Sequence, residues 1–307
     1  VVEAHISAAE TVALREATAT VSALRAGGEV HGVFACTRKD RLTTRNGSPY
    51  LALELRDRTG RIAARAFRDA DVLAGQFERG DLVSVWGKVE RFRDELVVEV
   101  DRVARAEGVD PATFLPSAYR DLDELDGFLE YLVNEVHDRR YKLLLESLLG
   151  DDELRAAWRR APCTRASHHA YLGGLLEHTV AVATLALELC QLHPRLNPDL
   201  LLTASIVHDL GRTREFTYGA EIGLTEEGRL LGHVQIGERI LSERAGPLGE
   251  ERRLALLHCV LCHHGPAAAP GGRFGSAEAL ALYRVNALDA SVKGALETPW
   301  TPPSGER

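Results

Sequence analysis

Hydrophobic positions along this chain change their period twice. Residues 8–25, with Val12, Leu14, Val21 and Leu24 as scattered apolar anchors, predict a helix. From Glu29 to Val103 the period drops to two, clearest at Leu51/Leu53/Leu55 and Leu96/Val98/Val100, which predicts strands at 29–37, 49–56, 61–68, 82–91 and 95–103. Turn chemistry separates them at Asn46-Gly47, Asp57 to Gly60, Gly80-Asp81 and Arg93-Asp94. Five short strands suit a small closed β-barrel, of which the OB-fold is the commonest form, with other small barrels open on periodicity alone. Gly108, Pro111 and Pro116 mark 107–118 as a linker. After it, i, i+3, i+4 spacing predicts helices near 119–135, 138–149, 151–160, 174–192, 198–210, 226–244, 248–263 and 276–295, with no further strand. The fold class is therefore multidomain β + α: an N-terminal helical segment (1–26), a β-barrel domain (27–106), an all-α domain (119–296) and a proline-containing tail (297–307).

Composition sharpens this outline. A chain of 307 residues, 45% apolar and 27% charged, is that of a two-domain globular protein. No uninterrupted apolar run is long enough to span a bilayer, so no membrane partner is expected. The N-terminus lacks a basic region followed by an apolar core, so the expected location is the cytoplasm. Five cysteines without framework spacing fit a reducing compartment. The net charge of −8 excludes simple coating of nucleic acid. Yet residues 27–107 hold 15 Lys/Arg against 14 Asp/Glu, leaving −9 on the remainder, as expected for two domains with different electrostatic tasks.

Chemistry concentrates in the helical part, which holds ten of the 12 histidines. Asn197 is an N-cap, Pro198 a first helical residue and Gly211 a stop, placing His208 and Asp209 in the last helical turn, where the dipole favours a cation. His263-His264 before Gly265 repeats the device, His178 follows the Gly173-Gly174 break, and His233 follows Gly232. Any one of these is more simply a hydrogen-bonded core or surface histidine. Together with the aspartate they form the donor set of a divalent metal site, imidazole and carboxylate suiting Mn, Fe, Mg, Co or Zn rather than thiophilic ions.

The string from His168 through Gly173-Gly174 and Glu177 to Thr179, then His208-Asp209-Leu210-Gly211, Gly232-His233 and His263-His264-Gly265, resembles the HD-domain metal-dependent phosphohydrolases. Within them it resembles the YhaM-type 3′-5′ exoribonucleases, which place an OB-fold ahead of the HD domain. Gly47-x-x-Tyr50, Asp57 to Gly60 and Gly80-Asp81 fit that OB module. The resemblance implies a first metal set of His178, His208, Asp209 and an aspartate of the last helix, and a second of Asp209, His233, His263 and His264. It implies two ions, manganese foremost, with Asp209 and Arg212 in catalytic roles. Three positions depart from the family. Asn286 stands where the last helix has an Asp, so Asn286 or Asp289 is expected to complete the first set; Tyr283 replaces a His, and Arg212 a Lys whose phosphate-holding role it would keep.

Remaining signals are weaker. In the barrel, Tyr50, Phe67, Trp86 and Phe92 interleave with Arg45, Arg65, Lys88, Arg91 and Arg93, as OB-folds that stack bases and track phosphates do. Tyr50 and Phe92 lie beside turns and are the better surface candidates, whereas Phe67 and Trp86 fit strand core as well. His168 and His169 read equally as phosphate contacts and as a helix entry. Cys259-x-x-Cys262-His263 matches a haem-attachment string but sits in an apolar helix, where buried small residues are expected. The reading is a metal-dependent 3′-5′ exonuclease on single-stranded RNA, or also single-stranded DNA. Its rivals are an HD phosphatase or cyclic-nucleotide phosphodiesterase, and an RNA-binding protein with a decayed HD site.

Overall fold

In the computed structural model, which describes residues 20–297, alternating buried and exposed side chains set five strands into a closed barrel of order β1-β2-β3-β5-β4. The strands are β1 (Glu29–Thr43), β2 (Pro49–Asp57), β3 (Gly60–Ala66), β4 (Leu82–Phe92) and β5 (Glu95–Arg105). β1 pairs antiparallel with both β2 and β4, β3 and β5 close the far side in parallel, and Leu51, Leu53, Leu55, Val83, Val85 and Val98 fill the interior. β1 outruns its predicted end because a bulge between Cys36 and Arg38 lets it bend from one neighbour to the other. One helical turn, α1 (Ala70–Ala74), joins β3 to β4 and was not expected. The helix expected at 8–25 lies largely outside the described residues. Its described end is a 3-10 turn, Val21–Ala23, tied to the β2–β3 turn by Val21 N–H on Asp57 Oδ2 at 2.7 Å.

The contacts of the chain divide it into two units, one comprising the barrel and Tyr218–Gly223, the other Ser117–Thr217 and Leu224 onward. In the second unit the helices are α2 (Leu122–Asn134), α3 (Arg139–Leu149), α4 (Asp152–Arg160), α5 (Gly174–Leu192), α6 (Pro198–Val207), α7 (Arg212–Glu215), α8 (Glu226–Arg244), α9 (Glu250–Cys262) and α10 (Ala277–Glu297). Each long one lies within a few residues of its expected bounds. Every residue of α6 from Leu200 to Val207 is buried, so this helix is apolar on all sides and forms the centre of the unit. α5 packs beside it and against α2, α4 and α10. With 19 residues and a mean hydropathy of 1.3, α5 is by length and composition apolar enough to cross a membrane, but Glu177, His178 and Glu188 interrupt its apolar run, and it carries His178 into the core.

Helix α8 is broken at Gly232 (φ 72°, ψ 164°), directly before His233. The strands β6 (Phe216–Tyr218) and β7 (Ile222–Leu224) correct the all-helical expectation; three residues each are too short to show a period. In the barrel unit, Ala220 is buried beside Val33, Ala35 and Leu82.

Where β4 slips register against β5 between Trp86 and Gly87, a Cβ on Gly87 would fall 2.1 Å from the Glu99 carbonyl oxygen. Gly87→Ala is therefore expected to destabilise the barrel by on the order of 3 kcal/mol, since backbone has to move. Denaturant unfolding followed by Trp86 fluorescence measures it, and an unchanged midpoint would contradict the close approach.

Candidate metal centre and nucleic-acid face

Helix ends of the second unit converge on one buried carboxylate. α6 stops at Val207, His208 is its C-cap, and Asp209 follows in the turn to α7. Asp209 is 2% exposed. Its two oxygens face different neighbours. Oδ2 lies 3.9 Å from His178 Nε2 and 3.8 Å from His208 Nε2, and those two nitrogens are 3.2 Å apart. Oδ1 lies 3.2 Å from His233 Nε2 and 3.3 Å from His263 Nε2, while His233 Nε2 is 2.9 Å from His264 Nε2. Asp209, His233, His263 and His264 form one group whose ligand atoms all lie within 4.8 Å of one another.

The backbone decides which imidazole nitrogen faces the centre. His208 Nδ1 bonds to the Ser205 carbonyl at 2.8 Å and His263 Nδ1 to the Val260 carbonyl at 2.5 Å, each three residues back at a helix end. A neutral ring donating through Nδ1 leaves a lone pair on Nε2. His178 Nδ1 bonds to Asp289 Oδ2 at 2.6 Å, with the same consequence. Two lone pairs facing each other across 3.2 Å repel unless a cation or proton lies between. His263 Nε2 and Asp209 Oδ1 are moreover buried with no hydrogen-bond partner. The donors present therefore fit divalent metal, each ring oriented by a second hydrogen bond as metal-binding histidines require.

Electrostatics agree. Burial opposes the Asp209 charge, but the Arg212 guanidinium and the surrounding imidazoles hold the carboxyl well below its usual range. Burial pushes His208 well below the usual imidazole range, so it is a neutral donor. Arg212 Nε reaches Asp209 Oδ2 at 2.7 Å and its terminal nitrogen reaches Glu215 Oε2 at 3.0 Å. The expected phosphate contact is corrected: Arg212 is buried between two carboxylates and holds the central aspartate.

Other expected residues take different places. Asn286 donates its amide to the His263 carbonyl at 3.3 Å, supporting a ligand rather than adding one. Asp289 stands behind His178, with Oδ2 shared between His178 Nδ1 and His169 Nε2 at 3.0 Å. His169 is buried in the left-handed region (φ 51°) and bonds through Nδ1 to the Tyr171 hydroxyl at 3.0 Å, which corrects its reading as a phosphate contact. Tyr171 in turn donates to Glu177 Oε2 at 2.6 Å, and Lys293 sits 3.3 Å from Glu177 Oε1. Glu177, read in sequence as a solvated helix residue, anchors this chain of bonds. His168 is half-buried beside His178, its imidazole pushed down to about 4 by burial and by the adjoining His178 and His169. Tyr283 packs against Phe274, and Cys259 and Cys262 are buried as expected.

Sequence reasoning missed Cys163. It is fully buried between α4 and α5, its Sγ 3.5 Å from Asp209 Oδ2, and it groups with His178 and Asp209 as potential ligands. Burial and the Asp209 charge raise its thiol well above the usual range. No motif spacing signals it, because only the fold brings it to Asp209.

Gly211 was read as a helix stop; instead its φ of −62° is helical, and proximity explains the glycine. A Cβ there would lie 1.9 Å from the His233 carbonyl oxygen, so its absence lets broken α8 bring His233 to Asp209.

On the barrel, Tyr50 and Phe67 stack at 5.4 Å between ring centroids, and Arg65 covers the Phe92 ring at 4.2 Å with Arg93 at 5.3 Å. Phe92 is 44% exposed and Phe67 46%, so Phe67 is surface rather than core; Trp86 is half-buried under Arg102. Arg45 lies exposed in the β1–β2 loop, Lys88 exposed on β4 and Arg91 exposed near the β4–β5 turn. OB-folds hold oligonucleotides with the β2–β3 face and these two loops.

Residues 175–291 match the HD domain family and residues 25–104 the OB-fold nucleic acid binding domain family. Residues 140–196 also match a family described as a putative helicase, although the sequence has no G-x-x-x-x-G-K-[ST] phosphate loop. The 3′-5′ exoribonuclease YhaM of Shouchella clausii is 30% identical over 281 residues, spanning 87% of this chain and 85% of that protein. Proteins of the same name from Halalkalibacterium halodurans and Oceanobacillus iheyensis are 27% and 29% identical, over 87% and 78% of this chain and 84% and 77% of theirs.

The bond chain behind His178 has a pH signature. Burial would raise the Glu177 carboxyl, but bonds with His169 and Tyr171 and the charge of Lys293 outweigh it and hold it down at about 2, against 4.5 for the free group. A depressed carboxyl contributes stability that is complete above the unfolded value and is lost as pH falls through the folded one. Stability should therefore drop as pH falls from about 5 to about 2, and Glu177→Gln should flatten that drop by on the order of 2 kcal/mol. Urea midpoints across this range test it; identical slopes for the two proteins would remove Glu177 from the account.

Proposed function

This chain belongs to the YhaM family of 3′-5′ exoribonucleases, and we propose that it shortens single-stranded RNA from the 3′ end by phosphodiester hydrolysis at the Asp209 centre. The observation that carries this reading is the division of the Asp209 carboxylate, one oxygen toward His178 and His208 and the other toward His233 and His263. Direction and substrate follow the relatives' name. Single-stranded DNA is the secondary substrate.

His178, His208 and Asp209 would hold one divalent ion and Asp209, His233, His263 and His264 a second, with manganese preferred over Fe, Mg, Co or Zn. Such ions supply Lewis acidity toward phosphoryl oxygens and activate water near neutral pH. The protein's own part is orientation. His208 and His263 are fixed by carbonyls, His178 by Asp289, and Arg212 keeps Asp209 ionised where burial alone would not. His168, neutral and half-buried beside His178, is placed to hydrogen-bond a substrate phosphate. Strand capture falls to Tyr50, Phe92, Arg45, Lys88 and Arg91 on the barrel, since every base offers a face to a ring and every phosphate a charge to a guanidinium or ammonium. A phosphatase or cyclic-nucleotide phosphodiesterase would leave this stacking face without a task. Five free thiols suit the cytoplasm, where we place the protein.

A 5′-labelled single-stranded RNA incubated with divalent cation should shorten from its 3′ end and release mononucleotides, whereas small cyclic or monoester nucleotides should persist. His208→Ala with Asp209→Ala should abolish turnover and leave strand affinity unchanged; turnover surviving the pair would refute the catalytic assignment. Conversely, Phe92→Ala should weaken RNA binding by roughly tenfold through loss of one stacked base. Equal affinity of that variant and the native protein in a titration would take the face off the RNA path.

A further inference from the structure

Three observations converge on the sulfur of Cys163. From the last helix, Asn286 is turned to the His263 carbonyl, and Asp289 Oδ2 stands behind His178, engaged by His169 and His178, with which it forms a separate group of potential ligands. Cys163 lies on this side of Asp209: its Sγ is 3.5 Å from Asp209 Oδ2, and its ligand atom and those of His178 and Asp209 are mutually within 4.8 Å. Independently of the cysteine, His178 Nε2 and His208 Nε2 face each other at 3.2 Å with both Nδ1 atoms engaged elsewhere, which marks this side of Asp209 as built for a cation.

Two of the donor separations match those of a four-coordinate ion. With metal–nitrogen and metal–oxygen bonds of about 2.0–2.1 Å and metal–sulfur of about 2.3 Å, a tetrahedral ion has N···N edges of about 3.3 Å and S···O edges of about 3.6 Å. The protein offers 3.2 Å between His178 Nε2 and His208 Nε2, and 3.5 Å between Cys163 Sγ and Asp209 Oδ2. The two N···O edges, 3.8 and 3.9 Å, are longer and need to close by about half an ångström. Nor is the cysteine free to wander, because its backbone N–H donates to the His169 carbonyl at 3.0 Å.

We propose that Cys163 is the fourth protein ligand of the ion held by His178, His208 and Asp209, a sulfur donor that moves the preference of this one site from manganese to zinc, iron(II) or cobalt(II). The second set, without sulfur, keeps the imidazole–carboxylate character suited to manganese. On ligation the S–H bond breaks, its proton leaves to solvent, and a sulfur lone pair goes to the ion with no change of oxidation state. The proposal rests on the metal-centre reading given above.

Cobalt(II) alone, titrated into metal-free full-length protein, tests both separately. Native protein should develop visible d–d bands together with a near-ultraviolet sulfur-to-cobalt charge-transfer band. Cys163→Ala and Cys163→Ser should lose the charge-transfer band while keeping the d–d bands. X-ray absorption on the native cobalt protein should find sulfur among the cobalt ligands, a measurement that needs no variant to fold. The proposal is overturned by d–d bands without charge transfer, by a cobalt shell lacking sulfur, or by a charge-transfer band that survives Cys163→Ala. Absence of any cobalt spectrum would overturn the metal-centre reading along with it.

Discussion

A carboxylate removed from water has to be neutralised or partnered, and the helical unit is arranged around meeting that demand at Asp209. With 2% of its surface exposed, it keeps its charge chiefly because Arg212 is buried against one oxygen, while imidazoles surround the other. Arg212 is in turn compensated by Glu215, three residues along the same short helix. The ionised aspartate is thus a property of the local turn, α6 to α7, before any ion arrives. That order suits a metal site, since the charge that attracts the ion exists in advance.

Around this charge the backbone sets direction. His208 and His263 each terminate a helix and spend one ring nitrogen on a carbonyl of the last turn, so that the other points inward. Rotating either ring would break its bond to a carbonyl of the last helical turn. Close backbone approach completes the arrangement. Gly211 admits the His233 carbonyl, and Gly174 admits the carbonyl of His169, to within distances that any side chain would forbid. The glycines of these motifs act by permitting contact, which explains why Gly211 is helical in φ although its position after an apolar helix resembles a terminator.

Such distinctions mark the boundary of what the sequence discloses. Long amphipathic or wholly apolar segments carry enough periodic positions to place α5, α8 and α10 within two residues, and the alternation in β2 places the barrel interior. The six residues that surround Asp209 or contain it were legible because His and Asp at helix ends are few and their spacing is distinctive. Roles one bond further out were not. Asp289 and Asn286 lie one helical turn apart, and only the packing of α10 decides that one backs His178 and the other holds the His263 carbonyl. Glu177 looked like a surface charge and Arg212 like a phosphate contact because a sequence does not show burial, and Cys163 reaches Asp209 from 46 residues away without any motif to announce it. Strands of three residues, such as β6 and β7, fall below the length at which a period exists.

The two donor sets are chemically unequal, and the inequality follows from Asp209 itself. Its Oδ2 already shares its charge with the Arg212 guanidinium, whereas Oδ1 faces imidazoles only. A dication in the first set therefore meets a weakened carboxylate, and the nearby Asp289 is directed at ring N–H groups and not at the ion's position. An uncharged amide at 286 cannot restore the balance. Within this low-dielectric pocket the donor able to supply a second negative charge beside Asp209 Oδ2 is a thiolate, whose protonated form burial favours until a cation displaces the proton. With the sulfur bound as proposed, the uncharged amide at 286 and the buried thiol beside Asp209 Oδ2 are two aspects of one electrostatic requirement.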